Sequence, residues 1–181
     1  MSSRVQLPSV FKPQIDPALQ TNAMLAATQK DFATAETLAN RIVTLNVKAY
    51  GEQSDGTAES LRMLAHIYAA EQDFAKSETT LLRVMKIYET VYQGSDERFA
   101  VPLTSLCYLY DQWGKPDKAE PCHARLVSMV EKRFGTDSPY LIRDLTAEAE
   151  ALRKLGRNDD AAKLEQRTQS IQAAQSGSSK P

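Results

Sequence analysis

Leu19, Leu61, Leu103 and Leu145 recur at intervals of 42 residues, with no insertion or deletion, along a chain of 181. A fixed period of this length constrains the fold more than composition does, because it marks one structural unit copied in tandem. Other columns keep the same register. Ala35, Ser77, Ala119 and Ala161 are all small, and Glu36, Glu78 and Glu120 follow the first three of them. Ile42, Val84 and Leu126 are apolar, and Tyr50, Tyr92 and Phe134 close the first three units.

Each unit reads as two helices. Leu61, Leu64, Ala65 and Tyr68 fall at i, i+3, i+4 and i+7, the stripe that one helix face buries. Phe74, Ser77, Leu81, Val84, Tyr88 and Val91 form the stripe of the partner helix, and neither segment alternates with the period of a strand. All seven glycines are placed between predicted helices or in the tail, where a left-handed backbone costs glycine nothing. Ser138 before Pro139 predicts an N-cap, and Asn158 followed by Asp159 and Asp160 predicts another helix start. Pro121, about a turn and a half into its helix, predicts a local bend.

Composition narrows the function classes. With 22 basic and 23 acidic side chains the formal charge is -1, which gives no overall field for a phosphate backbone. In the most basic-looking stretch, 141–167, Arg143, Arg153, Lys154, Arg157, Lys163 and Arg167 are matched by Asp144, Glu148, Glu150, Asp159, Asp160 and Glu165, so no nucleic-acid partner is expected. No apolar run approaches the roughly 18 residues of a membrane span. The first twenty residues lack the layout of a signal peptide, and a cytoplasmic protein is expected.

Catalytic signatures are missing too. The sequence has no phosphate-cradling glycine loop, no His-Glu-x-x-His, no nucleophile elbow and no paired-cysteine metal spacing. The expectation is a noncatalytic chain with no cofactor and no metal. Cys107, in a small interhelical column, and Cys122, one turn into the partner helix, are expected as buried thiols rather than a disulfide. His123 is expected to pack in the core, and Trp113 to cover the turn of its own helix pair.

With Leu61 taken as the fourth position of its unit, Leu61, Ala65, Tyr68, Ser77, Leu81 and Val84 resemble the tetratricopeptide repeat pattern of alternating large, small and aromatic positions. Leu103, Cys107, Tyr110, Ala119, His123 and Leu126 repeat it in the third unit. The usual period is about 34 residues. The longer unit here, with Ala119-Glu120-Pro121 and Gly135-Thr136-Asp137-Ser138-Pro139, is similar to the subtype found in kinesin light chains. The chain departs from that subtype where asparagine is frequent, carrying Thr21, Met63, Ser105 and Ala147 instead.

The resemblance, which covers residues 18 to 174, implies an all-α, right-handed α-solenoid of about four helix-turn-helix repeats. The repeats are placed at about 18–58, 59–100, 101–142 and 143–175, after an extended N-terminal segment, 1–17, and before a disordered tail, 176–181. Val10, Phe11 and Ile15 are expected to cover the first helix, and Glu165, Thr168 and Ser176 to make a solvated C-terminal cap. The family's inward-facing positions fall on Gln20, Met24 and Thr28, then Glu59, Arg62, Met63 and His66. They continue through Thr104, Ser105, Tyr108, Asp111 and Gln112 to Arg143, Thr146, Glu150 and Arg153. The implied role is capture of a partner protein's peptide or helix in the concave groove. The alternatives are a structural or self-assembling module, as a homodimer or part of a larger repeat protein, and, more remotely, a small-molecule enzyme.

Overall fold

The computed structural model describes residues 17–92 and 96–178. The expected coverage of the first helix by Val10, Phe11 and Ile15 lies outside the described residues. Eight α-helices and no strand are found among those described: α1 (Pro17–Thr28), α2 (Phe32–Tyr50), α3 (Asp55–Ala70), α4 (Phe74–Tyr92), α5 (Asp96–Trp113), α6 (Pro116–Phe134), α7 (Ile142–Lys154) and α8 (Asn158–Ser178). A single 3-10 turn, Pro139–Leu141, precedes α7, with Ser138 accepting from the Tyr140 amide at its start. Each helix packs on the next one along the chain, so the four hairpins stack as an all-α solenoid.

The cores are shared between hairpins. One cluster runs from Ala58, Leu61 and Ala65 through Leu81, Val84, Ile87, Phe99, Leu103 and Leu109 to Leu126 and Ala151, spanning α3 to α7. Another joins Ala23, Ala35 and Ile42 of the first hairpin to Leu64 and Ile67 of the second. A large side chain gains about 1.5 to 3 kcal/mol only when fully buried, so each hairpin depends on its neighbour for much of its stability.

The turn inside each hairpin is also periodic. Lys30, Gln72, Gly114 and Gly156 occupy one column and all take positive φ, from 62° to 76°. Glycine adopts that conformation freely, whereas the lysine and glutamine hold it against their own Cβ. The following residue caps the next helix in the first two hairpins: Asp31 accepts from the Thr34 amide at 3.2 Å and Asp73 from the Lys76 amide at 3.1 Å. The third hairpin replaces that cap with Lys115 and puts Pro116 in the first turn of α6.

Polar ties cross between hairpins in register. The Tyr68 hydroxyl donates to Glu36 Oε1 at 2.8 Å, and Tyr110 does the same to Glu78 at 2.8 Å. At the last boundary Leu152 stands in the tyrosine column, and Glu120 accepts instead from Arg157 at 3.2 Å.

Several expectations need correction. Cys107 and Cys122 are not separate thiols; they form a disulfide between α5 and α6, with Cα atoms 5.4 Å apart. Gly56 is not between helices but in the first turn of α3, where a Cβ would lie 2.7 Å from Asn46 Oδ1 of α2, so close helix approach is what requires glycine. Thr168 is buried rather than solvated, its hydroxyl satisfied by the Leu164 carbonyl at 2.9 Å. The last helix continues to Ser178, past the expected start of the tail at 176. Trp113 stacks on Phe74 of the preceding hairpin, with ring centroids 5.9 Å apart. Besides Pro121, which lies inside α6, a second internal proline, Pro102, is buried in α5.

Candidate functional site

The first helices of the hairpins present the residues of the expected groove. Between α1 and α3 lies an open cleft of about 670 Å³, lined by Gln20, Thr21, Met24, Leu25 and Thr28 from one side and Glu59, Ser60, Arg62 and Met63 from the other. Four of the predicted binding residues, Gln20, Met24, Arg62 and Met63, thus meet in one depression. The 3.6-residue period explains why: positions i, i+1, i+4 of each helix share a face, and the stacked hairpins set those faces side by side.

The cleft is mostly apolar with one charged pair. Arg62 donates to Glu59 Oε2 through Nε at 3.2 Å and through a terminal nitrogen at 2.7 Å, and its other terminal nitrogen lies 3.4 Å from His66 Nε2. Partial burial, and then the adjacent Arg62 charge, holds the His66 imidazole below its ordinary range, with Glu59 opposing. The neutral ring is thereby favoured at His66, and the fixed cation beside it is Arg62.

The remaining predicted residues lie farther along the array, outside this cleft. Thr104 spends its hydroxyl proton on the Ala100 carbonyl at 2.7 Å. Tyr108 is 58% exposed, and its hydroxyl accepts from Gln112 at 3.1 Å. Asp111 faces the buried ring of His123, with Oδ2 3.0 Å from Nε2. Glu150 is exposed. Arg153 forms a two-pronged pair with Glu165 of α8, both contacts at 2.7 Å, so part of its donor capacity is already used within its own hairpin.

Thr21, Leu25 and Ser60 line the cleft without belonging to the predicted inward-facing positions, and Leu25 is the large apolar one among them. It is 52% exposed, whereas its counterparts in the next three hairpins, Ile67, Leu109 and Ala151, are 1%, 1% and 3% exposed. Those three are each covered by the preceding hairpin. The signal in the sequence was a core column read at the first described unit of the array, where no described helix precedes it.

Two chemical possibilities can be assessed directly. Among the described residues no group of three or more His, Cys, Asp or Glu side chains is placed to hold a metal ion. No described helix is long and apolar enough to cross a membrane.

A stack of helical hairpins whose core clusters are shared between neighbours, with an open cleft on the first helices, defines an α-solenoid of the repeat-array class. Residues 17–90 match the tetratricopeptide repeat family model, so this part of the chain is similar to tetratricopeptide repeats. Solved structures of similar fold include BtubC (BKLC) from P. vanneervenii, with 19% identity, a TM-score of 0.73, and coverage of 91% of this chain and 68% of that one. Kinesin-light-chain TPR-like repeats from Podosopora anserina align with 18% identity and a TM-score of 0.73 over 87% of this chain and 75% of theirs. The MamA protein aligns at 16% identity and a TM-score of 0.54, over 91% of this chain and 95% of its own. At these identities the likeness shows the fold. No curated protein matches the chain. Tetratricopeptide arrays in general are protein-interaction modules that use their concave surfaces.

Proposed function

We propose that this array is a noncatalytic interaction module that holds an extended peptide or a helix of a partner protein along the first helices of its hairpins. The observation that carries the reading is the cleft of about 670 Å³ between α1 and α3. Its wall combines Met24 and Met63, thioether side chains that adapt to varied apolar anchors, with the Glu59–Arg62 pair, which can realign toward a partner's polar groups. Beyond it, Thr104, Tyr108, Asp111, Glu150 and Arg153 continue the surface along α5 and α7. Tyr108 supplies a flat, rigid apolar face with a hydroxyl, the type of residue that concentrates binding energy at interfaces. A cleft open to water suits surface complementarity better than chemistry that needs an enclosed site.

The experiment is selection of binding peptides from a displayed random library, followed by calorimetric titration of a selected peptide. Affinity is expected to fall at least about tenfold in the triple variant Arg62→Ala, His66→Ala, Tyr108→Ala, since truncating one or two interface anchors typically costs more than 1 kcal/mol each. Unchanged affinity would place the binding surface elsewhere on the array.

A further inference from the structure

His123 lies buried on α6 where three helices meet. Its Nε2 is 3.0 Å from Asp111 Oδ2 on α5, and its Nδ1 is 3.4 Å from Asp144 Oδ1 on α7. An ionised carboxylate only accepts hydrogen bonds, so both ring nitrogens must carry hydrogen for both contacts to be bonds. Two acceptors on opposite sides of one ring specify imidazolium. The neutral ring keeps one N–H, and its other nitrogen then turns a lone pair toward an oxygen.

The two carboxylates are not equivalent. Asp144 is 1% exposed and is also fastened by Arg143, with Nε 3.2 Å from Oδ1 and a terminal nitrogen 2.9 Å from Oδ2. Because it is almost wholly buried, losing one of its donors costs more there than at a carboxylate that water reaches, which holds the remaining ring proton on Nδ1. The Asp111 side chain is 36% exposed, so water can replace the donor it loses. We infer that His123 is a proton-operated latch: charged, it ties Asp111 of the third hairpin and Asp144 of the fourth together, and neutral, it keeps Asp144 and releases Asp111 to solvent.

Other charges around the ring are consistent with this division. On α7, Glu148 favours the charged ring and the Arg143 cation opposes it. Glu120 and Glu131, on α6 itself, and Arg157, ahead of α8, act on Glu148. Lys115 and Lys154 line the shallow space beside Asp111. Burial pulls the His123 imidazole down, but its bonds to Asp144 and Asp111 outweigh burial and leave it above its ordinary range. For Asp144, burial pushes up, and the bonds from His123 and Arg143 outweigh it and leave the carboxyl low.

The signs follow. A histidine with a raised folded-state pKa contributes stability that is complete below about pH 6.5 and lost as pH rises through the raised value. The Asp144 contribution is complete above the ordinary carboxylate range and lost as pH falls through its lowered value. The latch is closed between those limits and opens on the alkaline side. Its effect on a bound partner rests on the groove reading above, but the latch itself does not, so the test reads the ring and the helices rather than an affinity.

In the full chain, with only two histidines, a proton–carbon NMR titration of the ring Cε1–H signals resolves both, and His66→Gln assigns them. The His123 midpoint is expected above about 6.5, and Asp111→Asn is expected to lower it by about one pH unit. Circular dichroism verifies that the variant is folded, as an exposed-side change should be. A wild-type midpoint at or below 6.5, or one that Asp111→Asn does not move, overturns the latch. Amide exchange at the C-terminal end of α5, around Asp111, corrected for its intrinsic dependence on pH, should quicken above the midpoint in wild type and stay constant in His123→Gln. Equal quickening in both proteins would also overturn it.

Discussion

The hydroxyl of Tyr110 on α5 donates to Glu78 on α4 at 2.8 Å, joining the third hairpin to the second, while Lys118 reaches the same Glu78 oxygen at 2.6 Å from α6. Burial, and then the bond to Glu78, pushes the Tyr110 phenol far above its ordinary range, which favours the hydroxyl as donor. Replacing Tyr110 with Phe removes the donor but keeps the ring, and the loss should be about 1 kcal/mol. Tyr108→Phe, on an exposed neighbour, should change stability by less than about 0.5 kcal/mol. Urea denaturation of both variants checks the contrast, and equal effects would deny the interhelix bond its role.

The Cys107–Cys122 bond closes a short loop of the chain, with a sequence separation of 15. A cross-link of that span is worth about 3 kcal/mol through the unfolded chain. Reductant should therefore lower the denaturation midpoint of the wild type and leave the double variant Cys107→Ala, Cys122→Ala unaffected. Thiol titration of the native protein should find neither cysteine free. Such bonds persist in oxidising surroundings and are reduced in most cytosols, which makes the redox state of the compartment a determinant of how firmly the third hairpin is closed.

Gly56→Ala sets two effects against each other. Alanine is favoured over glycine inside a helix by about 0.8 to 1 kcal/mol. Here the new Cβ meets Asn46 Oδ1 at 2.7 Å and Tyr50 Cδ2 at 3.1 Å, and Asn46 is buried with its amide bonded to the Ile42 carbonyl. Overpacking of that kind costs about 1 to 3 kcal/mol, so a net loss of about 1 kcal/mol is expected. In an Asn46→Ala background the same change should become stabilising. Thermal melts of the four proteins decide it, and an identical effect in both backgrounds would rule out the close approach.

Most of the architecture is legible in the sequence because the fold repeats. Leu61, Leu64, Ala65 and Tyr68 are all buried in α3, as their spacing requires. What the spacing does not convey is pairing between columns. Glu36 and Tyr68 each belong to a visible column, yet their bond spans 32 residues and exists only because α2 and α3 lie side by side. The disulfide does have a sequence signal: Cys107 and Cys122 are each seven residues from the turn pair Gly114 and Lys115, one before and one after, so an antiparallel hairpin sets them opposite each other. Asp144 is harder. Nothing local marks a carboxylate on α7 as buried until His123 and Arg143 are placed around it. In the concave cleft, the helical period puts Met24, Arg62 and Met63 on accessible faces, but Leu25 joins them only because no described helix covers it.

The seams of the array differ in kind. The first is fastened by a neutral phenol, Tyr68, donating to Glu36, the second by Tyr110 and the Lys118 cation on one Glu78 oxygen, and the third by the ion pair of Glu120 and Arg157, whose guanidinium is half exposed. Dissolved ions weaken exposed charge pairs and barely touch a half-buried phenolic bond. Ionic strength thus acts on the ion pairs that cross the seams, at Glu120–Arg157 between α6 and the last hairpin and at Lys118–Glu78 one seam earlier, and leaves the Tyr68 joint of the first seam almost untouched.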